Sequence, residues 1–220
     1  TATAQDRADV TIVTPDEVKK DPYARDVGVG RYDLVIYDQY RPDAPPEANA
    51  LYFGVLPPGP AYARSHPIEG PVILDWDVAH PIMQFVRDLP TVAILKAIGV
   101  DPPPGSTTLI ESNQGPLAFV APREGFSDTV VAFALMDGEN FNTNWYRNIS
   151  FPLFLFNALQ VLGNARESVG DEIHLPGQPV ALRADTPTET LKVTSADGKS
   201  THTLTRTPQG TFVDHDTGRI

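Results

Sequence analysis

Residues 107–135 read TTLIESNQGPLAFVAPREGFSDTVVAFAL, three apolar and β-branched runs punctuated by Asn113-Gln114-Gly115 and Arg123-Glu124-Gly125. The glycine closing each break supplies the positive φ that a tight turn demands, so Thr107 to Ser112, Leu117 to Pro122 and Thr129 to Leu135 are predicted strands. Upstream, Leu34 to Tyr37 is a continuous apolar run with polar ends, the pattern of a strand buried on both faces. Ala50 to Val55 and Pro71 to Trp76 read the same way, and Val10 to Val13 is a shorter strand closed by Thr14-Pro15. Thr14-Pro15-Asp16-Glu17 places a capping hydroxyl, a proline at the first helical position and acids in the first turn, predicting a short helical turn through Lys20. His80 to Val86 and Thr91 to Ile98 leave helix and strand both open. Downstream, an Asn-rich loop spans Met136 to Tyr146, and Phe151 to Leu162 is a helix with Ser150 as N-cap and Pro152 in its first turn.

After Gly163 the character changes. Val180 to Arg183, Glu189 to Thr194, Thr201 to Arg206 and Thr211 to Asp214 are short strands at the spacing of a small β-sandwich, with Ala196-Asp197-Gly198-Lys199 as a hairpin turn. The organisation expected is an α/β domain over residues 1–166 and a small all-β, sandwich-like module over residues 167–220, with the boundary near Ala165 to Gly170.

Composition narrows the function. The 220 residues carry a formal net charge of -11, a surface that repels phosphate backbones and anionic lipid, so no nucleic-acid partner is expected. The longest apolar stretch, Phe151 to Leu162, falls short of the roughly 20 residues a membrane helix needs, so no membrane insertion is expected within these residues. The absence of cysteine excludes disulfides, thiolate metal sites and thiol nucleophiles. Prolines crowd residues 42–46, 57–60 and 102–104 and mark stiff loops, because proline breaks helix interiors and central strands. No secretory leader opens the sequence, and its first residues and its end at Gly218-Arg219-Ile220 read as cuts through a longer polypeptide.

The runs YDLVIYDQYRPDAPPEANALYFGVLPP, HPIMQFV, TTLIESNQGPLAFVAPR, DTVVAFAL and NISFPLFLFNALQVL together resemble a known domain. It is the class I glutamine-amidotransferase-like domain of large bacterial membrane proteins that also carry a BatA-type N-terminal region and a von Willebrand factor A domain. The resemblance covers roughly Val10 to Gly163 and rests on Gly115-Pro116-Leu117 and on Phe151-Pro152-Leu153-Phe154 followed by Asn157-Ala158. It implies a flavodoxin-like three-layer α/β fold followed by a β-rich module, with the usual first strand and helix upstream of Thr1 or absent. It further implies a soluble part of a bacterial membrane protein, on the extracytoplasmic side, whose partners are other domains of the same polypeptide or other proteins.

Enzymes of that superfamily set a cysteine on a strained strand-to-helix elbow, with a histidine and a carboxylate behind it. Here the elbow after Ala50 to Val55 reads Val55-Leu56-Pro57-Pro58-Gly59, and the place of the histidine reads Met136-Asp137-Gly138. The expectation is therefore a pseudoenzyme: a non-catalytic binding or structural module, with no catalytic residue and no cofactor. The alternative is a divergent carboxylate-dependent hydrolase or transferase using Asp75 and Asp77, which flank the end of a strand expected to be central, where α/β folds place ligands. The plainer reading of such an aspartate is a cap on the next turn.

Other motifs are weak. Ser65-His66 lacks any nucleophile-elbow context, Gly28-Val29-Gly30 lacks a third glycine and precedes a strand, and no two of the five histidines stand at helical i, i+4 spacing. Asp214-His215-Asp216 would place two carboxylates on one strand face, yet an acidic strand tip is the simpler account, and no metal is expected. The best candidate binding surface is the loop Asp137 to Arg147, where Asn140, Asn142 and Asn144 alternate with Phe141, Trp145 and Tyr146. Amides beside aromatic rings suit peptide or sugar recognition. The competing reading folds Trp145 and Tyr146 down over the sheet edge as core.

Overall fold

Gly115 and Gly125, at φ +104° and +85°, close two turns that make residues 107–131 an antiparallel meander, with Glu124 also left-handed at +41° in the second. The computed structural model describes residues 10–163, 180–182, 190–194, 201–205 and 212–214. In chain order its first part holds α1 (Tyr23–Gly28), β1 (Leu34–Asp38), β2 (Asn49–Phe53), β3 (His66–Glu69), β4 (Ile73–Trp76), β5 (Lys96–Gly99), β6 (Thr107–Ser112), β7 (Gly115–Arg123), β8 (Phe126–Val131), β9 (Met136–Asp137), β10 (Asn140–Phe141) and α2 (Ser150–Gly163). The architecture is mixed α/β, a six-stranded sheet with few helices, in the order β1-β2-β8-β7-β6-β4. β1, β2 and β8 run parallel, whereas the turns oblige β7 and β6 to alternate direction, and β4 closes the far edge antiparallel to β6.

Side-chain alternation gives the sheet two buried faces. On one, Leu51, Phe53, Leu117 and Val131 meet Phe154, Ala158 and Leu162 of α2 and the 3-10 turn at Pro81–Met83. Those three helix residues recur at i, i+4 and i+8, the spacing of a single helical face. Burying each side chain of that size contributes about 1.5–3 kcal/mol. Two amides fix the helix: Asn157 Nδ2 donates to the carbonyls of Ile82 and Gln84, and Asn49 Nδ2 donates to that of Leu162 at 2.7 Å. On the other face Val35, Tyr37, Ala50, Tyr52, Phe119, Ala121 and Val130 pack with Tyr62, and Tyr37 stacks on Tyr52 at 5.1 Å. β3 and β5 form a separate antiparallel ribbon, in which His66 lies over Gly99 so closely that a Cβ there would stand 2.5 Å from its Nε2.

Several expectations change. Val10 to Val13 forms no strand, and Ile12 is 89% exposed, because no neighbouring strand among the described residues offers it a hydrogen-bonding edge. Leu34 to Tyr37 is a strand but an edge one, with Ile36 45% exposed, so it is not buried on both faces. β4, expected to be central, lies at the opposite edge. β3, hidden behind Ser65-His66-Pro67, is a strand that the proline disguised; Pro67 is tolerated because a two-stranded ribbon is all edge. The turn at residues 14–20 forms, held by Glu17, whose carboxylate accepts from both the Thr14 N–H and its hydroxyl.

In the C-terminal part β11 (Val180–Leu182) pairs antiparallel with β14 (Phe212–Asp214), and β12 (Thr190–Thr194) with β13 (Thr201–Thr205). The expected boundary at residues 165–170, the turn at 196–199, and His215 and Asp216 lie outside the described residues. Among the described residues no helix is long and apolar enough to cross a membrane.

Candidate functional site

Gly54 directly precedes the stretch expected to form the elbow. It leaves β2 at φ +61°, a conformation that costs an L-residue about 1–2 kcal/mol. A Cβ built on it would lie 2.5 Å from the Ala134 Cβ and 2.8 Å from the Ala134 Cα and N. This left-handed turn ends the parallel strand β2 and immediately precedes the stretch Val55-Leu56-Pro57-Pro58-Gly59. The space that any side chain at this position would need is occupied by Ala134, which follows β8. The Gly54 N–H is also spent on the Val131 carbonyl at 2.9 Å. At the place of the expected histidine, Asp137 pairs with Lys96 at 2.7 Å on the surface.

Asp75 and Asp77 act locally. Asp75 Oδ1 accepts from the Trp76 N–H at 2.8 Å, while Asp77 Oδ1 accepts from the N–H groups of Ala79 and His80 and closes the turn out of β4. His80 Nδ1 accepts from Ile82 N–H at 3.2 Å, so the neutral ring caps the 3-10 turn. Burial pushes this imidazole below its ordinary range, against the pull of Asp77. The three side chains are therefore organised around backbone donors.

The Asn-rich loop divides in two. Asn142 is buried: its Oδ1 accepts from Lys96 N–H and its Nδ2 donates to the carbonyls of Lys96 and Ala134, tying β5 to the end of the main sheet. Asn144 braces the neighbouring segment, accepting from Ala93 N–H at 2.7 Å and donating to the Thr91 carbonyl. Trp145 is fully buried against Phe133, Phe151 and Phe154, and its Nε1 donates to Ser150 Oγ at 2.9 Å. What remains outside is Asn140, exposed Phe141, half-buried Tyr146 and Arg147. Phe141 stacks on Tyr146 with centroids 4.3 Å apart and planes 18° from parallel, and the Arg147 guanidinium lies 5.3 Å from the Tyr146 ring while its Nε donates to the Tyr146 hydroxyl. Leu95, also exposed, joins this row through its N–H to the Asn142 carbonyl. The structure thus brings Tyr146 together with Phe141 and Arg147 on one ledge, leaves Asn140 exposed on the hairpin beside it, and withdraws Asn142, Asn144 and Trp145 into the scaffold.

One polar centre escaped the sequence reading, because Asp128 sits inside an apolar strand and its partner lies across a turn. Asp128 is buried on β8 and accepts from Arg123 Nε at 2.9 Å; Arg123 Nη2 also donates to the Ala48 carbonyl. Its other oxygen and the Tyr52 hydroxyl have no hydrogen-bond partner among the described residues. Burial raises the Asp128 carboxyl above its usual range, partly offset by Arg123, and burial likewise pushes the nearby Tyr62 hydroxyl up to about 12. Asp128, Tyr52 and Tyr62 are buried, while Arg123 is partly exposed. Among the described residues no three His, Asp or Glu side chains gather as metal ligands would.

A family described as a domain of unknown function (DUF8816) matches residues 172–220, a span that falls within the C-terminal β-rich segment. No curated protein and no solved structure matches the chain.

Proposed function

We propose that this chain is a non-catalytic interaction module of a membrane-tethered bacterial multidomain protein, on its extracytoplasmic side, built on a degenerate flavodoxin-like, class I amidotransferase-like scaffold. The observation that carries this reading is Gly54, a left-handed turn at the end of the parallel strand β2, with Ala134 where a side chain would lie. The three parallel strands β1, β2 and β8, with α2 on one face, support the scaffold; the smaller β-rich segment after residue 166 follows as a second module. The working surface is the ledge of Phe141, Tyr146 and Arg147, where a pre-stacked ring pair beside a cation offers contact area at little entropic cost. Its partner is another domain of the same polypeptide or a second protein.

The test is a photo-cross-linking amino acid placed at Phe141 in the full-length protein in bacterial membranes. Adducts to a protein segment outside residues 1–220, absent when the same probe replaces exposed Leu74, are the expected result. Equal labelling at both positions, or hydrolysis of an amide substrate that disappears in Asp75→Asn or Asp77→Asn, overturns the reading.

A further inference from the structure

α2 contains no charged residue in 14, and beside the exposed Gln160 its outer surface carries apolar side chains: Phe156 is 59% exposed and Leu159 42%. Apolar side chains of that size at neighbouring exposed positions mark a surface that a partner can cover. The position of the uncovered strip is informative. Asn157 faces the Ile82–Gln84 turn, and Leu155 and Leu159 lie roughly 160° round the helix from it by the 3.6-residue repeat. That turn leads to Val86, whose carbonyl accepts from Trp76 Nε1 on β4. The flank of Leu155 and Leu159 is therefore the one on the side of β1, the opposite edge of the sheet. β1 is itself open there: no other strand of the described residues pairs with its outer edge, and Ile36 is exposed on the same face as α2. A strand edge that no described strand pairs with and an exposed apolar position on the helix flank, Leu159, thus adjoin.

We propose that this notch is a two-fold interface with a second copy of the chain, β1 pairing antiparallel with β1 of the partner and α2 packing antiparallel on its counterpart. The elements are self-complementary. A two-fold axis normal to the sheet through Ile36 places Leu34 opposite Asp38 and Asp33 opposite Gln39, so no like charges face each other. α2 contacts both β1 and β2. With strands ~4.8 Å apart, a helix seated over that pair lies ~4.8 Å from the axis, bringing the two helices to ~10 Å, the spacing of packed helices. Charge favours this occupant at the seam: α2 carries no charged residue, and the two-fold register sets the seam's carboxylates, Asp33 and Asp38, opposite Gln39 and Leu34 of the other copy, whereas a basic partner would engage the acidic remainder of a chain of net charge -11. The interface is independent of the function proposed above.

The cysteine-free sequence makes the test direct. Light scattering coupled to gel filtration is expected to give a mass twice the 23.9 kDa of the chain. Oxidised Ile36→Cys is expected to run as a covalent dimer on a non-reducing gel, while Leu74→Cys, on the exposed face of the β4 edge, stays monomeric. Phe156→Lys, at an exposed position that leaves the fold intact by circular dichroism, is expected to weaken dimerisation at least tenfold. A monomer at every concentration overturns the proposal, and so does a dimer indifferent to Phe156→Lys or one that fails to cross-link through residue 36.

Discussion

Gly54 shows how a single residue sets what a turn can hold. Its backbone needs φ +61°, and Ala134 occupies the space beyond its Cα, so Gly54→Ala meets both a conformational penalty and a backbone clash. The two together are expected to cost about 3–5 kcal/mol, read as a shift in the urea midpoint. Gly54→Cys is expected to yield a destabilised protein with no thiol-dependent hydrolase activity. Asn142 and Asn140 look alike in the sequence and differ in the fold. Removing Asn142 leaves the Lys96 N–H and two carbonyls without their partner, so Asn142→Ala is expected to cost about 2–3 kcal/mol. Asn140→Ala, on the exposed hairpin, is expected to change stability by less than about 0.5 kcal/mol in the same denaturation series. Asp128 carries a pH signature of definite sign. Its carboxyl is raised in the folded state, chiefly by burial, so the native protein holds that proton more tightly than the unfolded chain. The stability of the wild type relative to Asp128→Asn is therefore greatest below pH 3.8, the ordinary value, and falls as pH rises through the raised value. A denaturation series in acid that shows the opposite slope would exclude this account.

At the scale of elements, local signals and tertiary partners separate cleanly. The two turns at Gly115 and Gly125 were legible because positive φ is a property of one or two residues. The helix at 150–163 was legible because a capping serine and a first-turn proline open a long apolar run. The 3-10 turn at Pro81–Met83 was ambiguous, since it is held by His80 Nδ1 on Ile82 N–H and by the fit of Ile82 and Met83 under α2. This element has its own titration. The imidazole is lowered in the folded state by burial, so its contribution to stability is complete above 6.5, the ordinary value, and is lost as pH falls through the lowered one. The protection factor of Ile82 N–H, its exchange relative to an unprotected amide at the same pH, is expected to fall over that interval, and His80→Ala to abolish that fall. Val10 to Val13 has the residues of a strand and lacks only an edge to pair with, and β-propensity without a neighbour stabilises nothing.

Across the whole molecule, one side chain joins parts far apart in the sequence. Asn49 is buried on β2, accepts from Ser127 N–H on β8 and donates to the Leu162 carbonyl at the end of α2. Asn49→Leu is expected to cost about 2–3 kcal/mol and to speed hydrogen exchange in the last turn of α2 while the outer strands β6 and β4 stay protected. The reach of such contacts marks what the residues in order could and could not specify. By itself the sequence determined the apolar runs, the turns, the charge-free helix and the loss of thiol chemistry, because each is written in one segment's φ/ψ preferences, periodicity or composition. Only the tertiary structure decided that β1 and β4 are edges, that Asp75 and Asp77 serve turns, that Asn142 and Trp145 belong to the scaffold, and that Ala134 occupies the space beside Gly54. Those outcomes depend on which segments become neighbours, and neighbours across a sheet are chosen by packing between residues some eighty positions apart, as Gly54 and Ala134 are.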